Sequence, residues 1–410
     1  MSTPIILHLS GNDYSVSYPD HLLRFEVLNI REDSRGIHGE LTVTSENDGL
    51  AGDLLWEHLT LSSGPSRKNA SNRLKERWPA GPNFEVLLHE VCWGVVNKWR
   101  TGEPFVQLAP QRRQTARYRL NPLLPDGQIT VLFGDGGTGK GFLALGASVD
   151  LTSPVALLGM GALPAKTIWY LDWETDEEEI ADRLARVCEG AMVETPPNLI
   201  YRRCFAALAD DISSILRMAT QHPPDVVIAD SMGLAVGGNP NDSGDTIRAM
   251  RALRMLRCTV LALDHSGKGE AAGKSMGNSY KYHYARSVWE LRRGESNQDD
   301  LIEVGLFHHK ANNGRRLTAP LGFRLSFEGD DGPVTIDHGV RVSDIEGLKE
   351  RLSVGRRILD ALDKSRLTRD ELKDQLDDVK EEAFKKAILR LTQRAYVTLD
   401  RDGRFGKPVR

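Results

Sequence analysis

The chain has 410 residues, a formal net charge of −4, and 40% hydrophobic and 27% charged residues. That length fits about three domains with ample core, and the near-balanced charge excludes wholesale coating of nucleic acid, so any such contact must come from local patches. No apolar run approaches a membrane span, and the amino terminus has neither a basic leader nor a small-residue cleavage site; a cytoplasmic protein without a membrane partner is expected. Cys92, Cys188, Cys204 and Cys258 are scattered without zinc-site spacing, which points to buried free thiols.

Residues 1–105 alternate short β-like runs at 5–9, 23–28 and 39–44 with a polar stretch. An amphipathic segment at 84–99 follows, carrying Val86, Leu87, Val91, Val95 and Val96. This predicts a small N-terminal α+β accessory domain without a readable motif. A basic linker, 106–125, comes next, with Arg112, Arg113, Arg117 and Arg119. A solvated connector and a subunit or nucleic-acid contact are both open for it.

The third segment, 126–342, opens with an apolar run at 129–133. It leads into Gly134, Asp135, Gly136, Gly137, Thr138, Gly139, Lys140, Gly141 and Phe142, and a helical pattern continues to 149. Strand, glycine-rich turn, lysine and helix in that order make a phosphate-binding loop. The glycines let consecutive N–H groups curl around phosphate oxygens, Lys140 adds a point charge near the β- and γ-phosphates, and the helix N-terminus adds its dipole. The position after the lysine normally offers a Ser or Thr hydroxyl to Mg²⁺, and here it is Gly141. Strands at 167–172, 226–230 and 259–264 then alternate with helices at 176–189, 211–220 and 244–256, which predicts a mainly parallel sheet flanked by helices. After a Gly-, Ser- and Lys-rich loop at 267–281, strands at 286–291, 301–307 and 323–327 follow without helices and are expected to extend the sheet antiparallel.

Acidic residues close two of the parallel strands. Asp230 follows the four apolar residues 226–229, where a strand-end carboxylate orients Mg²⁺ and its waters. Because Gly141 supplies no hydroxyl, Asp230 should carry more of that task than usual. At the end of the strand after the phosphate-loop helix stand Asp172, Trp173 and Glu174. Ligands bind at the carboxyl ends of such strands, so Glu174 can align and deprotonate a water attacking a γ-phosphate, and Asp172 is a further candidate beside the metal. The competing reading of Glu174 is as part of the acidic run 176–179 at a helix N-terminus. Arg183, four residues after Glu179, reads as an ordinary helix pair within reach of nucleotide.

His265 ends the next strand, where an imidazole can hydrogen-bond the γ-phosphate; a plain loop histidine is the alternative. The basic loop after it is suited to coupling nucleotide state to a bound strand. His309, Lys310, Asn312, Asn313, Arg315 and Arg316 lie between two strands. A projecting hairpin that stabilises phosphate charge in a neighbouring subunit and a solvated hairpin are equally open for this stretch.

The last segment, 347–410, shows three helical patterns, marked by Ile358 and Leu362, by Leu372 and Leu376, and by Phe384, Ile388 and Leu391. Asp402 and Gly403 follow as a hairpin turn signal. Three helices and a hairpin predict a C-terminal winged helix, with Lys385, Lys386, Arg390 and Arg394 on its third helix. Both nucleic-acid and protein contact are open for it.

Taken in order, the loop 134–141, the stretch 170–174, the strand 226–231, the stretch 263–268 and the stretch 309–313 resemble the RecA-fold ATPases, most closely the RepA-type hexameric replicative helicase branch of plasmids and phages. The likeness covers 127 to about 325. It implies an α/β RecA-like P-loop core using ATP and Mg²⁺, with Glu174 as catalytic glutamate, His265 as γ-phosphate sensor, and Lys310 with Arg315 or Arg316 as the trans-acting group. It also implies a homo-oligomeric ring, a hexamer in that branch, with single-stranded DNA in its channel, and leaves replication or recombination proteins as partners for the N-terminal domain. The expected function is an ATP-dependent DNA helicase or translocase. The alternatives are a slow ATPase switch, such as a loader or recombination mediator, and a non-catalytic winged-helix DNA-binding regulator.

Overall fold

A computed structural model of the chain describes residues 5–10, 13–45, 52–102, 105–110, 117–239, 242–267, 280–295, 298–312 and 314–408. Residues 111–116 of the basic linker, with Arg112 and Arg113, most of the loop after His265 including Lys268, and Asn313 lie outside the described residues. The chain forms two compact units, Met1–Arg113 with Asp210–Pro223, and Gln114–Ala209 with Pro224–Arg410. Among the described residues no helix is long and apolar enough to cross a membrane.

The first unit is an antiparallel meander of β1 (Ile5–Ser10), β2 (Asp13–Tyr18), β3 (Leu23–Asp33), β4 (Gly36–Ser45) and β5 (Gly52–Thr60), followed by α1 (Gly64–Arg77) and α2 (Phe84–Thr101). Burial alternates residue by residue along β4, as it must when one sheet face is covered and the other meets solvent. Phe84, Leu87, Leu88, Val91, Cys92 and Val95 form one stripe of α2, because apolar residues three and four apart share a helix face. They close a core with Val16, Phe25, Val27, Leu41 and Val43.

The second unit holds β6 (Tyr118–Asn121), β7 (Leu124–Pro125), β8 (Ile129–Gly134), α3 (Lys140–Thr152), β9 (Gly161–Ala162), β10 (Ile168–Asp172), α4 (Glu177–Gly190) and β11 (Leu199–Arg203). Helix α5 (Leu208–Gln221), grouped from Asp210 with the first unit, precedes β12 (Val226–Asp230), α6 (Met232–Ala235), α7 (Ser243–Met255) and β13 (Thr259–His265). Then come α8 (Tyr280–Tyr284), β14 (Ser287–Arg293), β15 (Leu301–Ala311), β16 (Leu321–Phe327) and β17 (Val334–Val340). The large sheet runs β11-β10-β12-β13-β8-β14-β15-β16-β17. Strands β8 and β10 are buried at every residue, as expected for parallel strands covered on both faces.

One expectation is corrected here. The strand predicted at 286–291 does not begin the antiparallel extension: β14 pairs parallel with β8, Ser287 opposite Thr130 and Leu291 opposite Gly134. A parallel neighbour needs a crossover, and the long connection from β13 through α8 supplies one. The antiparallel part is β15, β16 and β17. Strand β8, which feeds the phosphate loop, therefore lies between two parallel neighbours, β13 and β14.

The chain ends in α9 (Val354–Ala361), α10 (Arg369–Asp374), α11 (Glu381–Gln393), β18 (Thr398–Leu399) and β19 (Phe405–Gly406). Ile358, Leu372, Phe384, Ile388 and Val397 close a local core, and Leu367 bridges to Phe405 beside the hairpin. A reciprocal Thr368–Glu371 capping box starts α10, and the buried Arg357 guanidinium donates to both Asp378 oxygens, one bond at 2.7 Å.

Candidate active site

The turn from β8 into α3 is shaped for an anion. Gly137 and Gly139 have φ of 71° and 83°, which turns successive N–H groups toward one concavity. Gly139 caps α3 without a side chain, leaving the first-turn N–H groups to a ligand. Thr138 Oγ1 donates to the Asp135 carbonyl at 2.9 Å and braces the loop from within. The Lys140 ammonium donates to the Gly134 and Asp135 carbonyls at 3.0 and 2.8 Å. Burial lowers its pKa, opposed chiefly by the charges of Asp230 and Glu174. A lysine so desolvated and ringed by acids is held for exchange onto a more strongly charged acceptor, which is what a phosphate offers.

The loop forms one wall of an open cleft of about 470 Å³. Its far side carries Glu174, Thr175, Asp230 and His265. Thus residues from the ends of β10, β12 and β13 converge on the loop that ends β8. His265 stands opposite Gly134 in the parallel register, and its Nε2 lies 3.5 Å from Glu174 Oε2.

Glu174 is fixed from behind. Asp172, completely buried, accepts from the Glu174 and Thr175 N–H groups at 2.8 and 3.1 Å through one oxygen. Its other oxygen accepts from Thr175 Oγ1 at 2.6 Å and Tyr201 Oη at 3.1 Å. With both oxygens engaged, Asp172 is a positioning residue for Glu174, which corrects the expectation that it stands beside the metal. Trp173 adds two anchors, its N–H donating to the Asp230 carbonyl at 2.6 Å and its indole N–H to the Ala206 carbonyl at 2.8 Å.

Asp230 Oδ2 accepts from Tyr170 Oη at 2.6 Å. Burial raises the Asp230 pKa, with the Tyr170 bond acting against that and the Glu174 and Asp172 charges adding to it. Burial likewise pushes the Tyr170 phenol well up, so it stays a donor and leaves one Asp230 oxygen turned to other work. The peptide bond from Asp230 to Ser231 is cis.

Several lining residues carry no sequence signal. Phe327 and Ile302, on β16 and β15, and Asp299, from the turn before β15, reach the cleft because the antiparallel extension lies beside the loop. Phe142 and Phe327 meet edge to face, ring centroids 5.3 Å apart. Arg183 pairs with Glu179, as its spacing suggests, and also lines the cleft with its guanidinium over the Phe142 ring.

Lys310 does not project. Its ammonium donates to the Tyr282, His283 and Ala285 carbonyls at 2.7, 3.0 and 2.8 Å, holding the C-terminal end of α8. That correction leaves Arg315 and Arg316, both exposed between β15 and β16 and outside the cleft of their own chain, as the charges of this stretch that pair with no carboxylate among the described residues.

Residues 101–271 match the family model of an AAA domain. This segment is a P-loop NTPase domain. No curated protein matches the chain. The match contains the phosphate loop, Glu174, Asp230 and His265, and ends before β14 to β17, so Asp299, Ile302 and Phe327 come from outside it.

Mg²⁺ fits the P-loop NTPase site. The ion keeps waters and substrate phosphate oxygens and takes few protein ligands, so Asp230 alone among the carboxylates suffices. A Cβ built on Gly141 meets Arg183 Nη1 at 3.6 Å, an ordinary contact. Gly141→Ser is therefore expected to fold normally and to keep or raise Mg²⁺ affinity, since it restores the missing hydroxyl. Titrating Mg²⁺ against ATP binding tests this, and a large loss of affinity would show that the glycine is required.

Proposed function

We propose that the protein is an ATP-dependent DNA helicase or translocase of a replication system, hydrolysing ATP at the subunit interfaces of a homo-oligomeric ring while moving along single-stranded DNA. The observation that supports the hydrolytic part is the convergence of Lys140, Glu174, Asp230 and His265 on one cleft.

In this reading the phosphate chain lies on the loop's N–H groups and Lys140 transfers from its two carbonyls to the β- and γ-phosphates. Glu174 orients a water and takes its proton as the water oxygen bonds to the γ-phosphorus and the bond to the β–γ bridging oxygen breaks. His265, now 3.5 Å from Glu174, hydrogen-bonds the γ-phosphate and turns back when it leaves. Asp230 would hold Mg²⁺ through the ion's waters, and the metal would there supply neutralisation of phosphate charge. The trans-acting charge falls to Arg315 or Arg316 of a neighbouring copy, because Lys310 is occupied within its own chain.

A second reading has one observation in its favour. Gly141 gives the metal no hydroxyl, which suits a slow nucleotide switch such as a loader or mediator. Steady-state ATP hydrolysis with and without single-stranded DNA separates the two. Strong stimulation by DNA, abolished together with nucleotide binding in Lys140→Ala, is expected. Slow turnover indifferent to DNA would reject the motor in favour of the switch.

A further inference from the structure

The C-terminal module takes no part in the cleft, yet one of its surfaces is built for a partner. Helix α11 buries Phe384, Ile388 and Leu391 in the module's core. Its opposite face carries Lys386, Leu389, Arg390 and Gln393, all exposed, and Arg394 just past the helix end continues the row.

Ion pairs account for most other bases nearby. Arg369 and Lys385 meet Glu381, Arg366 meets Asp400, and Lys407 meets Asp363. Among the described residues, Lys386, Arg390, Arg394 and Arg401 have no carboxylate within ion-pair distance. Arg401 stands at the tip of the β18–β19 hairpin, where Asp400 shapes the turn by accepting from the Asp402 and Arg404 N–H groups. The acids Glu381 and Glu382 sit in the first turn of α11, at the other end from Arg390 and Arg394.

Three unpaired cations on one helix face, with a fourth at the tip of the hairpin that follows in the chain, fit a polyanion. Lys386, Arg390 and Arg394 are four residues apart, so the row spans about 12 Å along the helix. A major groove about 12 Å wide admits a helix, and its phosphates flank the helix inserted there. A single-strand site needs several aromatic platforms for stacked bases. Here Tyr396 is the one exposed aromatic among the module's described residues.

We propose that the exposed face of α11 and the β18–β19 tip form a duplex-DNA site, arranged as in a winged helix and separate from the strand on which the ATPase acts. Lys386, Arg390, Arg394 and Arg401 contact phosphates, and Leu389, 58% exposed between two of them, faces the base edges. This goes beyond the ATPase reading and does not depend on Glu174.

The test is the binding of a short fluorescein-labelled duplex to the full chain over a range of salt, for wild type and for Lys386→Glu/Arg390→Glu. Both positions are exposed, so folding should be unaffected, and an unchanged denaturation midpoint would confirm it. Duplex affinity should fall at least about tenfold and the slope of log K against log salt should drop by about 2, since two phosphate contacts are lost. Arg394→Ala/Arg401→Ala should lower the same slope without reversing charge. Wild-type duplex affinity and slope in both variants would overturn the proposal, even if the face then proved to bind a protein. Displacement of the duplex from wild type by an equal concentration of single strand would overturn it as well.

Discussion

Replacing Glu174 by Gln is expected to lower kcat for ATP hydrolysis by about 10²–10⁴-fold while leaving nucleotide affinity close to wild type. The expectation rests on how the side chain is held. Asp172 fixes the backbone N–H of Glu174, and Trp173 ties the segment to Asp230 and Ala206, so the substitution leaves the local fold alone. The carboxylate is partly exposed to the cleft, and a glutamine of the same shape can still meet His265. What it cannot do is take a proton from water. The phosphate loop and Lys140 bind nucleotide without help from this group, so affinity and turnover should separate. Measuring kcat at saturating ATP beside an equilibrium dissociation constant decides the matter; turnover within a few-fold of wild type would mean that another group is the base. Asp172→Ala is the informative contrast. It removes the acceptor that orients Glu174 without touching the reacting atoms, so it should lower kcat while the remaining activity still requires Glu174.

The parts of this site that could be read from the sequence are those encoded in short linear stretches. The phosphate loop needs its glycines, lysine and following helix in consecutive order. Asp230, Glu174 and His265 stand at strand ends, which an apolar run followed by a polar residue marks directly. The residues that escaped are those defined by pairing across the fold. Tyr170 looks like one more apolar strand residue until β10 is seen beside β12, where its hydroxyl reaches Asp230. Phe327 is far from Phe142 in the chain and meets it only because β16 joins the same sheet. Lys310 is another residue whose place pairing across the fold decides. Its basic neighbours left a projecting charge and a solvated hairpin equally open, and the C-terminal end of α8 offers it three carbonyls, which at a helix end attract a cation. The direction of β14 was misread for a related reason: the short α8 leaves little periodic signal, so a crossover looked like a hairpin.

Lys281→Met should destabilise the second unit by about 3–5 kcal/mol, a large share of the total stability of an ordinary domain. Lys281 and Asp264 are both completely buried, and the ammonium donates to both carboxylate oxygens at 2.9 Å. Removing the cation leaves a carboxylate in the protein interior facing an apolar group, and that desolvation is the source of the loss. The double substitution Lys281→Met/Asp264→Leu should recover most of it, because neither buried charge then remains. Stability and activity are expected to part company at this point. Asp264 is the residue before His265, and the pair pins the end of β13 to α8, whose other end is held by Lys310. The double variant should therefore refold to near wild-type denaturation midpoint yet hydrolyse ATP more slowly, because the strand end that carries His265 beside Glu174 loses its side-chain tie to α8 and is left to its backbone pairing with β8. Denaturant unfolding and kcat measured on wild type, single and double variants test both halves. A single variant as stable as wild type would show that the buried pair contributes nothing to the fold, and a double variant with full activity would show that His265 is placed by other means.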